Sequence, residues 1–233
     1  MRISQKRTLQ AVGGSVMLLT LLTACPRPYP PFVPPVNLNF TFPDTAADAR
    51  LTLAAISFGT GNALNVLSSR DVGGFGGTVN QGMLSLEANV LADLQKNPAC
   101  LTSFKDGEAR GLSAVVVTPE TVKTCNVYFT LFRDTNGNGK PESTEEVFNT
   151  HDIYSYADTP FTYSFASTDG KSVENGKRVA GWSLVRHEVL QTSVTAAQYR
   201  VTMNSIPTAD EALPIYLHEN TDRLISMGLE GLK

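Results

Sequence analysis

Seven short stretches of this chain alternate apolar and polar residues with a period of two, and that pattern constrains its fold more than any other feature. The runs are VNLNFTF (Val36–Phe42), ARLTLAAISF (Ala49–Phe58), LSAVVV (Leu112–Val117), NVYFTLF (Asn126–Phe132), FTYSFAS (Phe161–Ser167), WSLVRHEV (Trp182–Val189) and AQYRVTMNSI (Ala197–Ile206). Successive side chains of a strand point to opposite faces, so such runs read as half-buried strands. Pro43-Asp44, Thr168-Asp169-Gly170 and Glu174-Asn175-Gly176 read as turns between them. Short strands broken by turn signals predict a mainly β fold, an antiparallel β-sandwich. GMLSLEANVLADLQK (Gly82–Lys96) predicts a strand through Leu86 and a short helix over Asn89–Lys96, stopped by Pro98. The terminal TDRLISMGLEGLK predicts a second short helix, amphipathic in pattern.

Ahead of the first strand the composition changes. MRISQKR carries Arg2, Lys6 and Arg7 and no acid, and AVGGSVMLLTLLTA follows. That apolar stretch is short for a membrane-spanning helix and suits a secretory signal. It ends in Leu22-Thr23-Ala24-Cys25, which resembles the lipobox of bacterial lipoproteins. The resemblance implies that residues 1–24 are a signal peptide and that Cys25 is acylated and becomes the mature N-terminus. Each buried CH2 of an acyl chain contributes about 0.8 kcal/mol, so a multiply acylated end anchors firmly. Pro26 stands where such proteins commonly carry an inner-membrane retention aspartate, which implies the outer membrane. Residues 25–35 form a spacer, PRPYPPFVPP holding six of the thirteen prolines. In polyproline II, at about 3.1 Å per residue, it would hold the body roughly 30 Å from the lipid. Residues 36–233 are left for the sandwich and its helical tail.

With Cys25 lipidated, Cys100 and Cys125 remain. In an oxidising compartment they most simply form a disulfide, with two free thiols as the alternative. The lipobox, the spacer, this cysteine pair and Gly181-Trp182 within a strand resemble the immunoglobulin-like or transthyretin-like sandwiches of bacterial envelope lipoproteins. That likeness implies a fold and carries no catalytic residue with it. Of 19 bases, three lie in the leader, so 16 face 22 acids in the mature chain, a balance of about −6. A surface of that sign has no basic patch to recruit nucleic acid.

RDTNGNGKPESTEE (Arg133–Glu146) is the one stretch with metal-ligand spacing. From Asp134 it resembles the twelve-residue EF-hand loop D-x-[DN]-x-[DN]-G-x5-E. The resemblance implies calcium held by Asp134, Asn136, Asn138, the Lys140 carbonyl, Glu142 through water and Glu145 bidentately. Two departures limit it. A strand and not a helix leads in, and Pro141 has no N–H to pair with a second loop. What is expected is a solitary loop on a β-hairpin, binding weakly, at about 10⁻⁴–10⁻³ M as in extracellular modules. Asn-Gly twice over also suits a plain hairpin turn.

The other signals are bland. His151, His187 and His218 are scattered in sequence without HxH or HExxH spacing, and read as surface residues. His151-Asp152 lacks a GxSxG nucleophile elbow. GTGNAL (Gly59–Leu64) lacks the third glycine of a dinucleotide fingerprint, and DVGGFGG (Asp71–Gly77) reads as a loop. Trp182 reads as core; Tyr154, Tyr156, Phe161 and Tyr163 divide between core and the rim of a contact surface. The resulting expectation is a non-enzymatic, lipid-anchored accessory subunit of an outer-membrane or surface-layer assembly, with an envelope protein as partner. The alternative is a small-ligand or glycan-binding lipoprotein using the aromatics of Tyr154–Tyr163.

Overall fold

The computed structural model describes residues 34–74, 76–192 and 199–219. Signal peptide, Cys25, most of the spacer, Phe75 and the terminal helix expected over TDRLISMGLEGLK lie outside them. The described strands are β1 (Val36–Ala46), β2 (Leu51–Phe58), β3 (Leu64–Asp71), β4 (Thr78–Leu86), β5 (Thr102–Ser103), β6 (Ser113–Thr118) and β7 (Lys123–Arg133). They continue with β8 (Glu146–Asn149), β9 (Ile153–Ala157), β10 (Phe161–Ala166), β11 (Ser172–Arg178), β12 (Gly181–Thr192), β13 (Tyr199–Ser205) and β14 (Ile215–Tyr216). One helix, α1 (Ala88–Leu94), follows β4 and buries Leu91 and Leu94, three residues apart on one face.

The strands form two sheets, as a β-sandwich requires. The smaller has the order β14-β1-β4 and the larger β3-β2-β7-β9-β12-β13-β11-β10-β6, with β5 and β8 also paired to β7. The pairing is mixed and not purely antiparallel, because β14 lies parallel to β1 and β13 parallel to β11. Two expected turns are also strand. Glu174-Asn175-Gly176 runs through the middle of β11, and Pro43-Asp44 lies in β1 at a shift of register between Thr41 and Thr45. Extended backbone there outweighs local turn chemistry because each segment has a partner strand along it.

The large sheet buries residues on both faces. Tyr154 and Leu184 join the core that the small sheet covers, whereas their neighbours Ile153 and Val185 join a second core on the opposite face. The first is apolar: Leu38, Phe40 and Leu84 of the small sheet meet Leu53 of β2 and Val127, Phe129 and Leu131 of β7. The second gathers Phe104 and Val122 with Phe161, Tyr163, Val185, Val201 and Met203. Here the sheet curls over itself. Arg178 of β11 reaches Ser155 of β9 at 3.2 Å, although two strands lie between them. In a flat sheet those strands would stand about 14 Å apart, beyond an arginine's reach.

Candidate functional site

The Asp134 loop sits where the sequence puts it, at the tip of the hairpin that pairs β7 with β8. Its acids organise its backbone. Asp134 accepts N–H bonds from Gly137, Asn138 and Gly139 at 2.8–3.1 Å, so the chain wraps around one carboxylate. Gly139 has a φ of 70°, a left-handed conformation that an L side chain resists. Asn136 and Asn138 accept from the Asn138 and Lys140 N–H groups, and both direct their NH2 groups to Glu142 at 3.0 and 2.8 Å. Glu145 is 5 % exposed. Its Oε1 takes bonds from the Thr135 N–H and hydroxyl and from the Asn136 N–H, while its Oε2 is buried without a partner. A calcium ion needs six to eight oxygens, and a buried carboxylate oxygen with nothing to accept is one it would satisfy. Asp134, Glu142 and Glu145 do not stand as a ready three-carboxylate cluster; the NH2 groups on Glu142 must turn aside before the amide oxygens face a cation. In donor chemistry the loop fits the ion.

A cleft of about 760 Å³ opens at the base of the same strand. Thr124, Asn126 and Tyr128, alternate residues of β7, form its floor, and the Phe58–Asn62 turn and the Pro98–Gly111 segment form its walls. The Cys100–Cys125 disulfide, with Cα atoms 4.9 Å apart, ties that wall to that floor. Phe58 lies against the Tyr128 ring at 5.4 Å. The Tyr128 hydroxyl accepts a bond from Asn126 at 3.4 Å, which leaves its own proton to donate. Burial, and the Glu108 charge after it, push that phenol up to about 12, so it stays protonated at any physiological pH.

Beneath the floor lies a network of buried charge. Arg178, 2 % exposed, holds Glu108 with both Nη atoms, at 2.9 and 2.6 Å. It also donates to Ser155 and to the Tyr163 hydroxyl at 3.2 and 3.3 Å, and lies over the rings of Phe104, Phe161 and Tyr163. Burial opposes its charge, yet Glu108 more than offsets this and holds the guanidinium charged beyond its ordinary range. Thr124 donates to Glu108 at 2.6 Å, and Ser155 to Asn126 at 2.7 Å, so the network continues up into the cleft. Tyr163 donates to Glu174 at 2.7 Å. Burial raises the Glu174 carboxyl to about 7, although Tyr163 and Arg178 both favour its anion. Gly176 permits this arrangement, because a Cβ there would run into the Tyr163 ring and the Met203 carbonyl.

The expected aromatic rim is absent from the described surface. Tyr154, Phe161 and Tyr163 are buried at 3–4 % exposure, and Tyr156 packs half-buried against Trp182. Trp182 itself is half-buried, stacked on Tyr154 with an interplanar angle of 5° and packed against the first core. Alternation in β9 and β10 sends these rings inward because both faces of the large sheet are covered.

The histidines are not scattered in space. The ring of His151 lies 4.6 Å from that of His187 and 5.1 Å from that of His218. The adjacent Asp152 does not form a hydrolase pair with a ring, since its oxygens accept from the His187 backbone N–H and from Arg186. Sequence reasoning missed this cluster because its members come from three distant segments. It missed Glu174 and Arg178 for a related reason: polar residues at alternate positions of β11 look outward, and only the curl of the sheet makes that face interior; Glu108, their partner, lies in a loop far off in sequence.

No family model, no curated protein and no solved structure matches this chain.

Proposed function

We propose that this chain is an exported, lipid-anchored, non-enzymatic binding protein of a bacterial envelope, which takes a small neutral polar ligand in the cleft above Glu108. The observation that carries the reading is the cleft's construction. Hydrogen-bonding groups of Thr124, Asn126 and Tyr128 converge on its floor beside the apolar Phe58 and Pro98, the mixture by which concave sites orient small ligands. Its charges compensate one another: Glu108 is paired with Arg178, and Asp106 and Arg110 both line the wall. A neutral, hydroxyl- or amide-bearing molecule such as a sugar suits that balance better than an ion. In this reading Cys25 carries the acyl anchor and the Pro26–Pro35 spacer the reach. Calcium at Asp134, Asn136, Asn138, Lys140, Glu142 and Glu145 stiffens the β7–β8 hairpin, and the unpartnered Glu145 Oε2 supports it.

A thermal-shift panel of monosaccharides and their N-acetyl derivatives tests the reading. One or more of them should raise the melting temperature of the wild type but not of Tyr128→Phe, which keeps the ring and removes the donor. If none does, and the native protein leaves gently solubilised membranes in a large defined complex, the accessory-subunit reading replaces this one.

A further inference from the structure

The rings of His187 and His218 both lie against that of His151, and the three residues come from β12, from the chain just beyond β14 and from the β8–β9 turn. Each residue is half-buried. His218 is fixed by two backbone bonds to Asn149, at 3.0 and 2.8 Å. Its Nδ1 lies 3.1 Å from the Glu219 carbonyl, which can only accept, so Nδ1 carries the proton and Nε2 keeps its lone pair. A backbone carbonyl on Nδ1 is also how metal-bound imidazoles are held in place.

We propose that His151, His187 and His218 form a binding site for a late first-row divalent ion such as Zn2+, Ni2+ or Cu2+, with water in the remaining position. Imidazole nitrogens select these ions over Ca2+ and Mg2+, which prefer oxygen, so the site is chemically distinct from the Asp134 loop. Two imidazoles tetrahedrally bound to one ion at about 2.0–2.1 Å have centroids roughly 5 Å apart, near the separations of His187 and His218 from His151. The rings are now tilted by 42° and 43°, and no three His, Cys, Asp or Glu side chains among the described residues form a finished metal site. The torsion that turns an imidazole about its Cβ–Cγ bond is broad and soft, so the nitrogens can be re-aimed without moving the backbone.

The charged groups nearby are mixed in sign: Arg186 and Asp152 form an ion pair at 3.1 Å, and Glu188 follows His187 on β12. Glu219 follows His218, and Glu146 bonds the Asn149 side chain. A bound ion would pin the segment that ends at His218 to β12 and to the β8–β9 turn. Arg186 already prepares that junction through bonds to the Leu213 and Pro214 carbonyls at 2.9 and 2.8 Å.

The test is a Co2+ titration of untagged, chelator-treated full chain, followed by visible absorption. The expected result is one Co2+ per chain with the d–d bands of a four-coordinate nitrogen site, displaced by Zn2+ and lost in acid as protons compete. His151→Ala with His187→Ala should abolish the bands, and His218→Ala should weaken binding at least about tenfold. Glu145→Gln, which disables the calcium loop, should leave them unchanged. In case a histidine variant fails to fold, Zn2+ should also protect wild-type histidines from diethylpyrocarbonate. Absence of bands and of protection, or bands that survive in the folded histidine variants, would overturn the site. Failure of the sugar panel would leave it untouched.

Discussion

The two faces of the large sheet bury very different interiors. Between the sheets, Phe40 meets Phe129 edge-on at 5.1 Å amid Leu38, Leu53, Leu84 and Leu131, with no charge among them. Under the curl, Phe104 and Tyr163 pack just as closely, at 4.6 Å, but around a fully buried guanidinium and two carboxyl groups. Apolar burial stabilises at about 25 cal/mol per Å², so the first interior holds the sandwich together. A buried ion pair regains little more than its desolvation cost, and often less than an apolar replacement would give. The comparison teaches that the second interior is built for the geometry of the floor above it.

That contrast can be broken most sharply by truncation. Phe129→Ala should cost about 3–5 kcal/mol in denaturant unfolding, as large core deletions do. Arg178→Met should cost a similar 3–5 kcal/mol by leaving Glu108 without its partner. The two differ in how they are rescued. Adding Glu108→Leu to Arg178→Met should recover most of the loss, whereas no single second change refills the space of Phe129. If the double variant is as unstable as Arg178→Met alone, the ionic interior is a stabilising element and the contrast fails.

Smaller effects sharpen the picture. Replacing Cys100 and Cys125 by alanine removes a cross-link worth about 3 kcal/mol in the chain-entropy model and frees the cleft wall, so unfolding should shift by that amount. Glu174 supplies a pH signature. Its carboxyl keeps a proton up to about 7 in the folded chain but only to its ordinary 4.5 when unfolded. Between those values the folded state holds more protons at this group, so the stability it contributes falls as pH rises, by about 3 kcal/mol. Denaturant midpoints across that window should fall in the wild type relative to Glu174→Gln, the difference between the two proteins isolating this carboxyl. At 10 mM, Ca2+ bound at about 10⁻⁴–10⁻³ M should add about 1–3 kcal/mol, and this gain should vanish in Glu145→Gln. Gly139→Ala, forced to a φ of 70°, should cost about 1–2 kcal/mol.

What the sequence could convey depended on how local each feature is. Each of the seven alternating runs contains a strand, α1 starts and stops near its expected ends, and the Asp134 loop sits on its hairpin. Each of these is written in contiguous residues. β3, β8, β9 and β11 were not expected, because short or polar runs such as SVENGKR become strands only through partners elsewhere in the chain. The same holds for the cleft. Glu108 and Arg178 are seventy positions apart, and no spacing rule joins them. The histidines look isolated until the bridge between Asn149 and His218 brings the last described segment to the β8–β9 turn.

Native mass spectrometry of the full chain, released gently from its own membranes, addresses the central claim most directly. The account predicts a monomer carrying one small neutral molecule, present on the wild type and missing from Asn126→Leu, whose floor loses its central amide and meets the ligand with an apolar side chain. Identical ligand-free masses for both proteins, or a ligand that stays on Asn126→Leu, would contradict it.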